Sequence, residues 1–271
     1  RGSEAWRLQT PSGFYLEARF PSLPAQVPGA DVWEDAEEAA IRAEALRLAA
    51  RRCAVGMACV VPGEQGRDVV VRHPVASSQP SDGLVDACCL RWHGEASLEE
   101  TSMAPRAGRR GTSEWWNRLG PEVAPNVSAA TLELQDDGSG RRGLWIVVGD
   151  WFGMVIGRRP DDALADIVCR SLPHALRTYA ERWAVDLAAV ARGCEAALGR
   201  VESPGVLRIT RAADPAHEGA LLLGGPCRQL RRDAEDGGVL VESWSTRRWH
   251  IRELPTAFAA FGALGKRVAS A

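Results

Sequence analysis

The fold is decided by the segment Thr10-Pro11-Ser12-Gly13-Phe14-Tyr15-Leu16-Glu17-Ala18-Arg19-Phe20-Pro21, in which a turn leads into an alternating strand. Its first four residues are typical of a tight turn. Because strand side chains point alternately to two faces, Tyr15, Glu17 and Arg19 share one face and the apolar residues at 14, 16, 18 and 20 share the other. The segment predicts a strand that buries one face and carries an acid, a phenol and a cation on the other.

Two interpretations of this polar face stay open. If the face lines the interior of a closed barrel, the three groups stand together in a partly desolvated cavity, where electrostatic interactions are strong. If the face points outward, the same groups form only a solvated surface, which is common on an antiparallel strand.

Strand-like sequence broken by turn residues recurs along most of the chain. A helix is predicted at 31–52, opened by Asp31 and Glu34 as a capping box, and two more helices are predicted at 160–170 and 173–197. Further strands are predicted at 53–61, 68–73, 84–93, 95–103, 129–135, 143–148, 151–158, 199–202, 206–212, 220–223, 238–244 and 247–252.

Short turns between successive strands predict a mainly β, antiparallel fold, and this many strands usually curl or close into a barrel. We therefore predict one antiparallel barrel of about ten strands, with two or three helices packed outside it. The chain is interpreted as a single domain, 1–271, with two β subregions, about 1–125 and 126–271, as the alternative.

The composition excludes several classes of protein. The chain has 271 residues, of which 45% are hydrophobic, enough for a substantial core. Its net charge is −2, and its arginines are scattered and balanced by acids, which argues against nucleic-acid binding. Seven cysteines without Cys-x-x-Cys spacing indicate free thiols rather than disulfides or a zinc site.

No apolar run of about 18 residues occurs, so the sequence predicts no membrane span, and a cytoplasmic location is the default expectation. The opening Arg1-Gly2-Ser3 lacks a methionine and looks like a cloning remnant, so a removed leader stays open. The sequence has no phosphate loop, dinucleotide fingerprint or nucleophile elbow, and its five histidines lack metal-ligand spacing. We therefore predict neither a cofactor nor a metal site.

The order of several motifs resembles a group of poorly characterised bacterial proteins with a calycin-like, that is lipocalin-type, β-barrel. The matching residues are Thr10-Pro11-Ser12-Gly13-Phe14-Tyr15-Leu16-Glu17-Ala18-Arg19, His73 followed by Gln79-Pro80, Leu98-Glu99-Glu100, Trp115-Trp116 and Leu144-Trp145-Ile146-Val147-Val148-Gly149-Asp150. The resemblance covers most of the first 160 residues. It implies a barrel and a ligand cavity more than an activity.

A cavity of this kind could use acid–base chemistry without a cofactor. Glu17 is the candidate general acid or base, with Tyr15 as hydrogen-bond donor and Arg19 as a fixed positive charge. His93 is a second candidate for proton transfer. On this hypothesis the protein is an isomerase, cyclase or dehydratase that acts on an apolar or aromatic molecule of secondary metabolism.

Indole rings offer flat apolar surfaces that suit an aromatic ligand. A buried Arg91 would need a carboxylate partner, for which Glu17 or Glu100 would suit. The predicted ligand-binding residues are Arg91, Glu100, Trp92, Trp115, Trp116 and His73. The alternative is a non-catalytic ligand-binding or interaction module, in which the interior is packed and the helices at 34–52 and 173–197 could carry a partner or homodimer surface.

Overall fold

The computed structural model describes residues 3–21, 36–63, 68–79, 86–94, 97–103, 113–117, 128–160, 193–224 and 227–254. Nearly all of the predicted helix at 160–170, most of the one at 173–197 and the predicted cap at Asp31 lie outside these residues. No helix in the described ranges is long and apolar enough to cross a membrane.

The described chain is mainly β, as predicted, and its strands form two sheets in which every pair of neighbours is antiparallel. The first sheet is a half-barrel whose seven strands lie in chain order. Its strands are β1 (Ser3–Gln9), β2 (Phe14–Pro21), β3 (Arg52–Val61), β4 (Asp68–Ser77), β5 (Asp86–His93), β6 (Ser97–Ser102) and β7 (Ser113–Asn117). Helix α1, Ala36–Ala49, lies between β2 and β3 in the chain and agrees with the helix predicted at 31–52.

The second sheet is a nearly closed barrel of nine strands. Its strands are β8 (Ala129–Asp136), β9 (Gly143–Val148), β10 (Trp151–Ile156), β11 (Glu195–Ser203), β12 (Val206–Ala212), β13 (Leu221–Leu223), β14 (Leu230–Arg232), β15 (Val239–Glu242) and β16 (Arg248–Glu253). Strand β16 pairs with β8, which brings the last strand of the sheet back to the first. A 3-10 helix, Pro215–His217, precedes β13.

The number and division of strands differ from the prediction. The sequence predicts about ten strands in one barrel, whereas the structure divides a larger number between two sheets. Strands β1, β7 and β14 were not predicted, because they are short or only weakly alternating. The predicted end of the helix at 173–197 is wrong, since β11 begins at Glu195.

Strands β9 and β10 of the barrel form a wall with one face in the barrel core and the other packed against the half-barrel. Trp145 and Phe152 point into the barrel core, where Trp145 packs edge-on against Trp249 with ring centroids 5.7 Å apart. Leu144 and Val155 point the other way, into the core between barrel and half-barrel. Burial on both faces explains why these two strands are almost continuously apolar rather than alternating.

The half-barrel contacts this wall through the apolar face of β2. Leu16, Ala18 and Phe20 are buried in the core between the sheets, together with Cys53 and Val55 of β3. The opposite face of β2 therefore turns away from the barrel. The packing of β2 thus decides which side of the half-barrel carries the polar residues.

The contact between Gly153 and Leu16 leaves little room for a side chain at position 153. A Cβ at this position would lie 2.4 Å from Leu16 Cδ1 and 3.1 Å from Leu16 Cδ2. We expect Gly153→Ala to lower the free energy of unfolding by about 1 to 3 kcal/mol, because the added methyl group overpacks the core between the sheets. Urea unfolding of the purified variant measures this loss.

Leu16→Ala provides the control, since it removes the side chain that the new methyl group would meet. The loss caused by Gly153→Ala should be smaller in the Leu16→Ala background than in the wild-type background. Equal losses in both backgrounds would contradict the contact.

Candidate functional site

The concave inner face of the half-barrel carries the polar residues predicted from the sequence. Tyr15, Glu17 and Arg19 lie on this face of β2, because the alternate residues of the strand pack towards the barrel. Strands β1 and β2 lie on one side of the concavity and β6 and β7 on the other, and side chains from the two sides meet across it.

Six charged side chains of alternating sign form one continuous chain of ion pairs across this face, the ionic chain. Its members, in order of contact, are Glu114, Arg19, Glu17, Arg7, Glu100 and Arg72. They come from β7, β2, β1, β6 and β4. The exposed fraction of the side chains is 5% at Glu100 and 36% at Glu114, so the chain runs from a buried end to an open end.

Glu100 is the most buried acid of the ionic chain and all of its acceptor capacity is used. Arg7 donates from Nη1 to Glu100 Oε1 at 2.6 Å and from Nη2 to Oε2 at 2.9 Å, which is a bidentate pair. Arg72 also donates to Oε1, and Trp116 Nε1 donates to Oε2 at 3.2 Å. A carboxylate surrounded in this way is compensated for its loss of water.

Both carboxylate oxygens of Glu17 also accept hydrogen bonds from arginine. Arg7 Nη2 donates to its Oε2 at 2.7 Å, and Arg19 donates to its Oε1 from Nε at 2.8 Å and from Nη2 at 2.7 Å. Burial raises the pKa of Glu17, but the charges of Arg7 and Arg19 and their hydrogen bonds outweigh burial, so the pKa lies below its usual value. Glu17 is therefore an ionised, weakly basic carboxylate at neutral pH.

Arg19 connects β2 to the far side of the concavity. Its Nη1 donates to Glu114 Oε1 at 2.7 Å, and its Nη2 donates to Glu114 Oε2. These hydrogen bonds, with the charge of Glu17, raise the pKa of Arg19 further above its high ordinary value, although burial opposes them. Arg19 is thus a permanent cation held between two acids.

An apolar floor lies at the buried end of the ionic chain. The ring of Tyr15 packs with Ala58, Val70 and Cys88 in a small core on the inner face. The guanidinium carbon of Arg72 lies 5.9 Å from the centre of the Tyr15 ring, and Arg72 Nη1 donates to Cys88 Sγ at 3.6 Å. Tyr15 is 4% exposed and is a structural part of this floor.

An aromatic row crosses the inner face beside the ionic chain. Trp92, Leu98 and Trp116 are directly paired across β5, β6 and β7. The guanidinium carbon of Arg7 lies 4.1 Å from the centre of the Trp116 ring, a cation–π contact. Trp92 lies at the other end of the row and is 55% exposed.

Four predicted site residues lie elsewhere: His93, Arg91, Trp115 and His73 are exposed and on the outer face of the half-barrel. His93 Nε2 lies 3.0 Å from Glu99 Oε2, and its ring lies 4.5 Å from Trp115, which is 59% exposed. His93 is therefore not brought together with Glu17, because it follows the inward-facing Trp92 on β5 and so points to the outer face.

The expectation that Arg91 pairs with Glu17 or Glu100 is wrong. Arg91 points to the outer face, and Arg7 and Arg72 take these acids instead. Sequence reasoning missed Arg7, Arg72 and Glu114. One signal for Arg72 was available, since it directly follows the apolar run Val69-Val70-Val71 and lies on the same face of the strand as Val70.

Metal and thiol chemistry find little support in the described residues. Within these ranges no group of three or more histidine, cysteine, aspartate or glutamate residues could hold a metal ion. Burial raises the pKa of the Cys194 thiol to about 12 and that of the Cys53 thiol also far above its usual value. Both thiols are inert core residues at neutral pH.

Comparisons with known proteins give no functional information. No family model matches the chain, and no curated protein matches it. A solved structure, the crystal structure of an uncharacterized protein from Saccharomyces cerevisiae, is similar over 93% of this chain and 91% of that chain, with 11% sequence identity and a TM-score of 0.49. The resemblance to calycin-like proteins stays a prediction.

Replacing the buried acid of the ionic chain should destabilise the protein. We expect Glu100→Gln to lower the free energy of unfolding by about 3 to 5 kcal/mol, because it removes the buried negative charge that pairs with Arg7 and Arg72. Glu99→Gln is the matched control on the adjacent, outward-facing position, and its cost should stay below about 1 kcal/mol. Chemical denaturation of both variants measures the difference, and equal costs would contradict the buried role of Glu100.

The lowered pKa of Glu17 predicts a pH dependence of stability. A carboxylate whose pKa is lower in the folded state stabilises the fold above its unfolded pKa of about 4.3, and that stabilisation is lost as the pH falls through the folded pKa. The difference in unfolding free energy between wild type and Glu17→Gln should therefore be constant near neutral pH and shrink in acid. A difference that grows as the pH falls would contradict the ionised, paired state.

Proposed function

We propose that the inner face of the half-barrel binds a small, largely apolar aromatic molecule and does not transform it. The observation that carries this proposal is the half-exposed indole of Trp92 on the inner face, in one row with Leu98 and Trp116. A large exposed aromatic on a concave surface is a common element of small-molecule sites.

The ionic chain supports binding over catalysis. A general base needs a free oxygen and a pKa near the working pH, whereas Glu17 has both oxygens occupied and a lowered pKa. Glu100 is equally occupied. The other proton-transfer candidate, His93, lies on the opposite face.

The same chain defines the chemistry of the ligand. The positive and negative groups of the inner face already neutralise one another, so a charged ligand would have to break an existing pair. A neutral planar molecule instead stacks on Trp92 and contacts Leu98 without disturbing the charges. Selectivity then depends on shape and on aromatic surface.

Trp92 and Trp115 form a natural pair for testing the proposal. They have similar exposure, 55% and 59%, but lie on the inner and outer faces respectively. A panel of neutral aromatic compounds is first titrated while intrinsic tryptophan fluorescence is recorded. For any compound that binds, Trp92→Ala should weaken the affinity by about tenfold or more, which corresponds to about 1.4 kcal/mol, and Trp115→Ala should leave it unchanged.

Native mass spectrometry of freshly purified protein detects independently any small molecule that stays bound through purification. The proposal fails if no compound in the panel binds, or if Trp115→Ala weakens binding as much as Trp92→Ala does. Turnover of a bound compound that Glu17→Gln abolishes would favour the isomerase, cyclase or dehydratase hypothesis instead.

A further inference from the structure

Among the described strands, β1 and β7 are the two edges of the half-barrel, and the gap between them is the seam. Each is the last strand of its side of the sheet, and neither pairs with the other. Their Cα atoms lie more than 8 Å apart except at isolated positions. Paired strands lie about 4.8 Å apart, so the seam is wider than one strand spacing.

The direction of the edge strands fits an inserted strand. Six successive antiparallel pairings separate β1 from β7, so the two edge strands run in the same direction. Direct closure would make a single parallel pair in an otherwise antiparallel sheet. One more strand, running opposite to both, would close the ring with antiparallel pairs throughout.

Half of the β1 backbone groups face the seam, where the described part of the chain supplies no partner strand. Thr10 N donates to Phe14 O at 2.8 Å, which identifies this pair as hydrogen-bonded in the ladder between β1 and β2. Because such pairs alternate with non-bonded pairs, Trp6 and Leu8 bond to β2, whereas residues 5, 7 and 9 direct their N–H and C=O groups away from β2. Among the described residues, no backbone partner meets these groups.

From this geometry we propose that the seam binds an extended peptide segment of a partner protein, which adds to β1 as an eighth strand. This is a β-augmentation site, in which main-chain hydrogen bonds give affinity and alternate side chains give specificity. The proposal concerns the edge of the sheet and does not rest on a small-molecule site at Trp92.

The two sides of the seam define the side chains of the partner. On the inner side the arginines and glutamates of the ionic chain are already paired, so the inward residues of the peptide must be uncharged. On the barrel side Trp6 lies 4.7 Å from Trp151, and the exposed guanidinium of Arg200 stacks 4.4 Å from the Trp151 ring. Arg200 has no carboxylate partner within the described ranges, so acidic outward residues are complementary to it.

The test is residue-resolved amide hydrogen exchange, measured by NMR on the wild-type protein. In the free protein the amides of residues 5, 7 and 9 should exchange much faster than those of Trp6 and Leu8, which serve as internal controls. The probe is the blocked peptide Thr-Val-Glu-Val-Thr-Val-Glu-Val-Thr at millimolar concentration. It should slow exchange at residues 5, 7 and 9 by about tenfold and leave Trp6 and Leu8 unchanged.

Two controls distinguish strand addition from adhesion to the surface. The same peptide with proline in place of its fourth residue, an inward-facing valine, lacks one of the backbone donors that face residues 5, 7 and 9 of β1 and should give little protection. Arg200→Glu should weaken binding of the acidic peptide by about fivefold, whereas Arg231→Glu, an exposed arginine on β14, should leave it unchanged.

Three results would overturn the proposal. The amides of residues 5, 7 and 9 could exchange as slowly as those of Trp6 and Leu8 in the free protein, which would mean that the chain itself already fills the seam. The peptide could give no protection of β1. The proline peptide could protect β1 as well as the parent peptide does.

Discussion

The wall formed by β9 and β10 is the constraint on which the remaining structure depends. These strands are buried on both faces, so the half-barrel must offer them an apolar surface, and β2 does so with Leu16, Ala18 and Phe20. Because side chains alternate along a strand, Tyr15, Glu17 and Arg19 lie on the other face of β2, in the concavity of the half-barrel. Charges in a concave, partly desolvated space must be paired, and the ionic chain is that pairing.

Strand number is the second constraint, and it acts on both sheets. A ring of purely antiparallel neighbours closes only with an even number of strands, whereas the described sheets have seven and nine. In the barrel the gap lies between β13 and β14, where Gly224 and Arg228 form an isolated bridge, with Gly224 N donating to Arg228 O at 2.9 Å. In the half-barrel no bridge between β1 and β7 occurs among the described residues, and side chains of the ionic chain connect the two sides instead.

The sequence predicted correctly which residues of β2 share a face, but it did not predict which residues of other strands they contact. Alternation alone placed Tyr15, Glu17 and Arg19 together, and the strands predicted at 143–148 and 151–158 are neighbours in the barrel as β9 and β10. Alternation does not say which face is concave, because that depends on how the sheet curves, and His93 was therefore assigned to the wrong side. Arg7 and Glu114 could not be found as partners of Glu17 and Arg19, since they come from strands about ten and ninety-five residues away that only the folded sheet brings near.

The ionic chain also explains why charges are kept where an apolar lining would be at least as stabilising. Replacing buried ion pairs by well-packed hydrophobic residues is often neutral or favourable for stability, so stability alone does not account for them. Bidentate contacts such as Arg7 to Glu100 and Arg19 to Glu114 define the distance and register between the two sides of a sheet whose edges share no backbone hydrogen bonds. Apolar side chains would permit the edges to slide. With the charges of the ionic chain paired to one another, the side chain of Trp92 on the same face remains 55% exposed.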